Sequence, residues 1–284
     1  MIYVVTGRSR CIGNFYDELI NPVKGYLNDN NIKYETIHFA DQVRKNNKDL
    51  FIGIFHHVDQ RCMPKKYIML AMDPPGNCGE NMKIILRKAL ALLIYTDKEF
   101  FSQLNDNLIY YPFPYHKSLE NIYNIEKKSI QYVRDIVTVG CINDKRKKLY
   151  DYLKKINYDI YFPNLQDKPR GVYEKEQDII LYSSKIILIN NYYKNDIQLP
   201  RMIYNAANKI FFIYVLNEDD NKNLLEGVYD NLIIKCNLNE LTETIDYYLN
   251  NEEKRKENID KLYEYVTTKH HVKNFLNKDI INNF

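Results

Sequence analysis

The sequence predicts an α/β protein of two parallel-sheet domains in tandem, and three observations carry that expectation. Short β-branched and aromatic runs alternate with longer amphipathic stretches along the chain. The alternation stops at Pro112-Phe113-Pro114 and then restarts. The chain has 284 residues, which suits two domains of ordinary size.

In the first half, strands are expected at residues 2–6, 34–39, 49–55, 66–72, 91–96 and 107–111, with helices at 16–28, 80–90 and 98–104. Two prolines in three residues stop a strand and stiffen the backbone, so a domain boundary is placed there. This gives a first domain of residues 1–114 and a second of 115–267. After a polar helical stretch at 116–131, strands follow at 135–141, 158–162, 185–190, 209–215 and 231–235. The helices between them are expected at 145–156, 172–182, 199–208 and 238–249, and a charged helix at 252–269 ends the pattern. Two Rossmann-like halves in tandem is the economical reading.

Composition narrows the function classes. Hydrophobic residues at 45% and charged residues at 27% are globular values and exclude a disordered, collagen-like or coiled-coil chain. A net charge of +3 gives no field that argues for nucleic acid or a membrane surface. The longest apolar runs, residues 89–95 and 210–216, are far short of a membrane span. Cys11, Cys62, Cys78, Cys141 and Cys236 form no C-x-x-C pair, which argues against zinc and a disulfide framework and for a reducing compartment. The N-terminus opens on Ile2-Tyr3-Val4-Val5 without a secretory signal pattern. A soluble, cytoplasmic protein is expected, of the host cell if the source is viral.

A glycine loop follows the first strand, Val5-Thr6-Gly7-Arg8-Ser9-Arg10-Cys11-Ile12-Gly13. It lies at the carboxyl edge of the expected sheet, where open α/β folds bind ligands, and makes Gly7 and Ser9 candidate binding residues. An ordinary βα turn is the other reading. The loop resembles the T-G-x-x-x-G-x-G turn of short-chain dehydrogenases, and Tyr150 and Lys154 have the Y-x-x-x-K spacing of those enzymes. Cys11 stands where the middle glycine must admit a pyrophosphate, and Val137 where the partner serine belongs. An NAD(P)-dependent oxidoreductase is therefore the alternative rather than the first reading.

The second half carries more. Val137-Thr138-Val139-Gly140-Cys141-Ile142-Asn143-Asp144-Lys145-Arg146 resembles the strand–Gly–basic-pair opening of the donor domain in GT-B glycosyltransferases. Leu181 to Asn190 resembles their L-x-x-S-K-I-x-L-x-N strand, and Leu199 to Lys209 their R-x-x-E-A-L-A-x-G-K helix. Ile213 to Glu218 is similar to the V-V-S-E strand end, and Glu240 to Leu249 to the E-L-x-x-x-I-x-x-Y-L helix. Tyr111-Pro112-Phe113-Pro114 is similar to the L-P-x-P interdomain link. Order and spacing carry the resemblance over roughly residues 134–270. The nearest type is the small transferase related to spore-maturation proteins and common in large DNA viruses. The chain departs from the pattern at Tyr204, where the family places Glu, and at Asn208 and Lys209, where no glycine closes the helix.

The resemblance implies a GT-B fold, two Rossmann-like domains facing across a cleft, with residues 268–284 packing back on the first. It implies a hexosyl- or pentosyltransferase that moves sugar from a nucleotide-sugar donor, a UDP- or GDP-sugar, to a hydroxyl of a glycan or other acceptor. No metal or other cofactor is expected, and no D-x-D triplet occurs. A diphosphate leaving group then needs cations and helix N-termini. Gly140, Lys145, Arg146, Lys185 and Arg201 are the candidates; solvated charge at a helix start is the competing reading for Lys145, Arg146 and Arg201, and Lys185, which begins a strand, can point to the cleft or to solvent. Glu218 and Glu226 are candidates for the ribose hydroxyls. An inverting transfer needs a base, and Asp73, His57 and His56 end expected strands of the first domain. A non-catalytic nucleotide or glycan binder is the third reading, kept open by Tyr204.

Overall fold

The computed structural model describes residues 1–6, 15–37, 49–55, 63–71, 79–95, 98–120, 133–140, 142–156, 158–163, 174–191, 197–221, 223, 225–226 and 228–282. The chain divides into two compact units, Met1–Ser118 with His270–Phe284, and Leu119–Lys269.

The first unit runs β1 (Ile2–Val5), α1 (Phe15–Asp29), β2 (Tyr34–Ile37), β3 (Leu50–Gly53), β4 (Tyr67–Leu70), α2 (Glu80–Lys88), β5 (Ala91–Ile94), α3 (Lys98–Ser102) and β6 (Leu108–Tyr110). All its strands pair in parallel, in the order β2-β1-β3-β4-β5-β6. β3, β4 and β5 are buried along their whole length, as central parallel strands covered on both faces must be. One core joins Val5, Phe51, Phe55, Tyr67, Met69, Ile85, Leu86, Leu92 and Phe101. The Tyr67 hydroxyl inside it donates to the carbonyl of Ile85 at 2.5 Å. Gly53 ends β3, where a Cβ would stand 2.1 Å from the carbonyl oxygen of Val5.

The second unit runs β7 (Arg134–Val137), α4 (Asp144–Leu153), β8 (Ile160–Tyr161), α5 (Glu174–Tyr182), β9 (Ser184–Asn190), α6 (Leu199–Ala207), β10 (Phe212–Leu216), β11 (Lys235–Asn237), α7 (Leu241–Asn250) and α8 (Glu252–Thr268). Its sheet is also parallel throughout, in the order β11-β10-β9-β7-β8. Leu149 and Leu153 of α4 and Leu241 and Ile245 of α7 pack with Ile186, Leu188, Ile213 and Val215 on one face. Tyr214 alternates to the opposite face, where its hydroxyl accepts from the backbone N–H of Gln198 at the start of α6 (3.4 Å). Helices α4 and α6 therefore cover opposite faces.

The chain then returns to the first unit. Tyr115 pairs with His271, its N–H donating to the carbonyl of His270 at 2.7 Å while Val272 N–H donates to Tyr115 at 2.8 Å. His270 Nε2 lies 3.0 Å from the Pro112 carbonyl. A short helix α9 (Lys278–Asn282) follows.

One expected strand is misplaced. Residues 231–235 do not form it; Tyr229, Asp230 and Asn231 take φ of 50°, 50° and 60°. Three consecutive left-handed residues turn the chain, so β11 begins only at Lys235, opposite Tyr214. The expected helix at 116–131 opens instead as a 3-10 turn at Lys117–Leu119, and residues 121–131 lie outside the described residues.

Candidate functional site

Read from their first strands, the sheets have the doubly wound orders 2-1-3-4-5-6 and 2-1-3-4-5, and each order reverses between the first and third strands. In the second unit this junction lies between β7 and β9, and its carboxyl edge is formed by Val139, Gly140 and Asn190. Crossovers leave a switch point toward opposite faces, so the helices that follow both start beside it.

Asn143 caps α4, its Oδ1 accepting from the N–H of Arg146 at 2.9 Å. Arg146 is 2% exposed and turns back over the edge, with Nε 3.2 Å from Asn190 Oδ1 and Nη2 3.4 Å from the Asn190 carbonyl. From the other face, Pro200 sets the first turn of α6 and Arg201 reaches the Val139 carbonyl. Gly140 is the meeting point. A Cβ there would lie 2.1 Å from an Arg201 Nη and 2.8 Å from an Arg146 Nη. With φ of +119°, Gly140 also holds a backbone conformation that side-chain-bearing residues avoid. Two guanidinium groups and two helix N-termini thus converge at one sheet edge, an arrangement suited to an anion with several oxygens.

Around this pair, Lys145 Nζ is buried and lies 2.9 Å from Asp219 Oδ1, on the turn after β10. Two neighbouring amides, Asn190 Nδ2 and Asn191 Nδ2, are buried and have no hydrogen-bond acceptor among the described residues. Asn191 Oδ1 accepts from the Tyr214 hydroxyl. One turn along α6 from Arg201, the Tyr204 hydroxyl donates to Asp178 of α5. Burial holds the Asp178 carboxyl above its ordinary range, with the Tyr204 hydrogen bond acting in the opposite sense.

The structure therefore brings Gly140, Arg146 and Arg201 to one place, with Lys145 next to Arg146 in the first turn of α4. Glu218 is exposed on the turn at the end of β10, and Glu226 is exposed in the following loop, its N–H bonded to the Asn223 carbonyl at 2.9 Å. Lys185 is a correction: it is the second residue of β9, at the amino edge of the sheet, and its amine pairs with Asp135 at 2.7 Å. Asp73, His57, His56, Gly7 and Ser9 lie outside the described residues. The Y-x-x-x-K pair is absorbed by packing, with Lys154 Nζ 4.6 Å from the Tyr150 ring centroid and that ring against Phe162. Sequence reasoning missed Asp178, Asn191 and Asp219, which join the site or its supports only through tertiary contact.

The fold defines the class: an α/β protein with two parallel sheets, of the GT-B type seen in the solved structures it matches. No protein-family model matches the chain, and no curated protein matches it in sequence. Among solved structures, it is similar to sucrose-phosphate synthase from Thermosynechococcus elongatus, with a TM-score of 0.57, 8% identity, and coverage of 97% of this chain and 96% of that one. It is similar to the E. coli trehalose-6-phosphate structure bound with UDP-2-fluoro glucose, with a TM-score of 0.55, 10% identity, and coverage of 99% and 98%. It also matches TarM, with a TM-score of 0.52 and 15% identity, over 95% of this chain but only 58% of TarM. These neighbours are GT-B glycosyltransferases, and at such identities the likeness establishes the fold. Among the described residues no helix is long and apolar enough to cross a membrane.

Proposed function

We propose that the protein is a glycosyltransferase that moves a sugar from a UDP- or GDP-sugar to a hydroxyl of a glycan or other acceptor. The observation that carries this reading is the convergence of Arg146 and Arg201 on Gly140 at the switch point of the second sheet. Transfer breaks the bond between the anomeric carbon and the diphosphate oxygen, and negative charge develops on the diphosphate as it leaves. Guanidinium groups and helix N-termini fixed beforehand stabilise that charge without reorganising. Lys145 stands next to Arg146 with its amine paired to Asp219, and the amides of Asn190 and Asn191, which have no acceptor among the described residues, add neutral donors at the same edge. Glu218, exposed at the end of β10, or Glu226, exposed in the following loop, is the proposed partner of a ribose hydroxyl.

The first unit is assigned the acceptor, with Asp73, His57 or His56 as the base if configuration inverts. The sequence resemblance supports the small spore-maturation-related type. The UDP-sugar analogue bound in the E. coli neighbour supports a nucleotide-sugar donor.

Thermal-shift screening tests this reading. UDP or GDP should raise Tm where NAD(H) and NADP(H) do not, and a sugar-nucleotide hydrolysis assay should then show turnover of at least one donor. Stabilisation by NADPH alone contradicts it. Nucleotide binding with no turnover of any donor, with or without glycan acceptors, reduces it to a binder.

A further inference from the structure

We propose that Asp219 makes the site prefer the intact nucleotide-sugar over the nucleoside diphosphate left after transfer; this rests on the donor-site reading above. The turn after β10 holds Asp219 in place. The carboxylate of Asp220 accepts from both the backbone N–H and the side-chain amide of Asn217, each at 2.9 Å, and the Asp220 N–H donates to the Asn217 carbonyl at 3.1 Å. Carried on that turn, the Asp219 carboxylate lies 2.9 Å from the buried amine of Lys145, the residue next to Arg146 in the first turn of α4. A fixed negative charge is thus set into the rim of a cationic site, where it opposes the ligand the arginines attract.

The opposition depends on the ligand's charge. In a nucleotide-sugar the diphosphate is esterified at both ends and carries two negative charges. Transfer moves the sugar to the acceptor oxygen and leaves the bonding electron pair on the terminal phosphate, while the acceptor's proton goes to the base or to water. That phosphate now has a second ionisation near pH 6, so the product carries about three charges at neutral pH. Asp219 repels the added charge as well, so it weakens the product more than the donor. The consequence is faster release of product, a step that limits turnover in many enzymes.

Isothermal titration of the whole chain with UDP, UDP-glucose, GDP and GDP-mannose tests the proposal. Asp219→Asn keeps the size of the side chain, and the carboxylate is 47% exposed, so the fold is not at stake. Near neutral pH the variant should bind the nucleoside diphosphate about tenfold tighter and its sugar only about threefold tighter. Near pH 5 (about one unit below the second phosphate ionisation) the two responses should converge. Glu253→Gln, in the exposed first turn of α8, should change neither. Equal tightening of product and donor, or unchanged or weaker binding of both, overturns this proposal and leaves the donor site standing. Wild-type chain that binds none of the four ligands overturns both.

Discussion

The two sheets share a strand order, and each has a glycine where that order reverses, yet the two glycines make room for different things. At Gly53 the space is filled by the backbone of β1, 2.1 Å from where a Cβ would stand. At Gly140 it is filled by guanidinium groups reaching in from α4 and α6. The first glycine lets two strands approach; the second lets charge gather at a sheet edge. Topology offers a ligand-binding edge in either sheet. What suits the second one to an anion is the pair of arginines that two helix starts deliver to it, and function belongs to such side chains rather than to the fold.

The largest expected effect comes from exchanging those roles. Gly140→Ala should weaken UDP or GDP binding by about two orders of magnitude or more, because the new methyl displaces both guanidinium groups and φ of +119° strains any side-chain-bearing residue. Gly53→Ala should instead lower Tm by several degrees and leave the affinity of the folded protein unchanged, as titration and calorimetry on both variants would show. A Gly140→Ala protein that melts early but binds normally would erase the distinction.

Arg201→Ala comes next. It is expected to cost about 1.5–3 kcal/mol of nucleotide affinity, the range for hydrogen bonds to a charged group, with Tm held within a few degrees. Unchanged affinity would remove Arg201 from the site.

A smaller effect separates the units by pH. All six histidines of the chain fall in the first unit, none in the second. Burial depresses both His270 and His271, at the seam where the C-terminal segment returns. The folded state favours their neutral forms, so their stabilisation is present above the unfolded histidine pKa of about 6.5 and is lost as pH falls through it and toward the folded values. Asp29 beside His116, and Lys117 and Lys273 nearby, are the charges that face this cluster. Amide protection factors, taken against the intrinsic exchange rate at each pH, should fall on acidification at residues 270–276 before they do around Gly140. The reverse order would show that the seam is not the acid-sensitive element.

The smallest effect is Lys185→Ala. It removes a partly exposed ion pair with Asp135 at the amino edge, worth less than about 1 kcal/mol, and should leave nucleotide affinity untouched.

Much of this was legible along the chain. Strand and helix positions follow from hydrophobic period, because covered parallel strands such as Leu50–Gly53 and Ala91–Ile94 are apolar throughout. Gly140, Lys145, Arg146 and Arg201 stood out as glycine and cations at strand ends and helix starts. Other features were not local. The Tyr204–Asp178 bond joins two helices with no spacing that announces it, and Asp219 meets Lys145 across 74 positions. Lys185 is singled out by a motif that marks the strand, and it lies at the amino end of that strand, away from Gly140. The late start of β11 depends on left-handed φ at Tyr229, Asp230 and Asn231, residue types that carry no signal for that conformation as strongly as glycine does.

Amide chemical-shift mapping of UDP and GDP on the labelled chain tests the central claim most directly. Saturable shifts should appear at Gly140, from Asn143 to Arg146, at Asn190 and Asn191, and at Arg201, and should vanish in Arg201→Ala. Saturable binding whose shifts gather instead around Val5 and Gly53, with Gly140 unmoved, would contradict the assignment of the nucleotide to the second sheet.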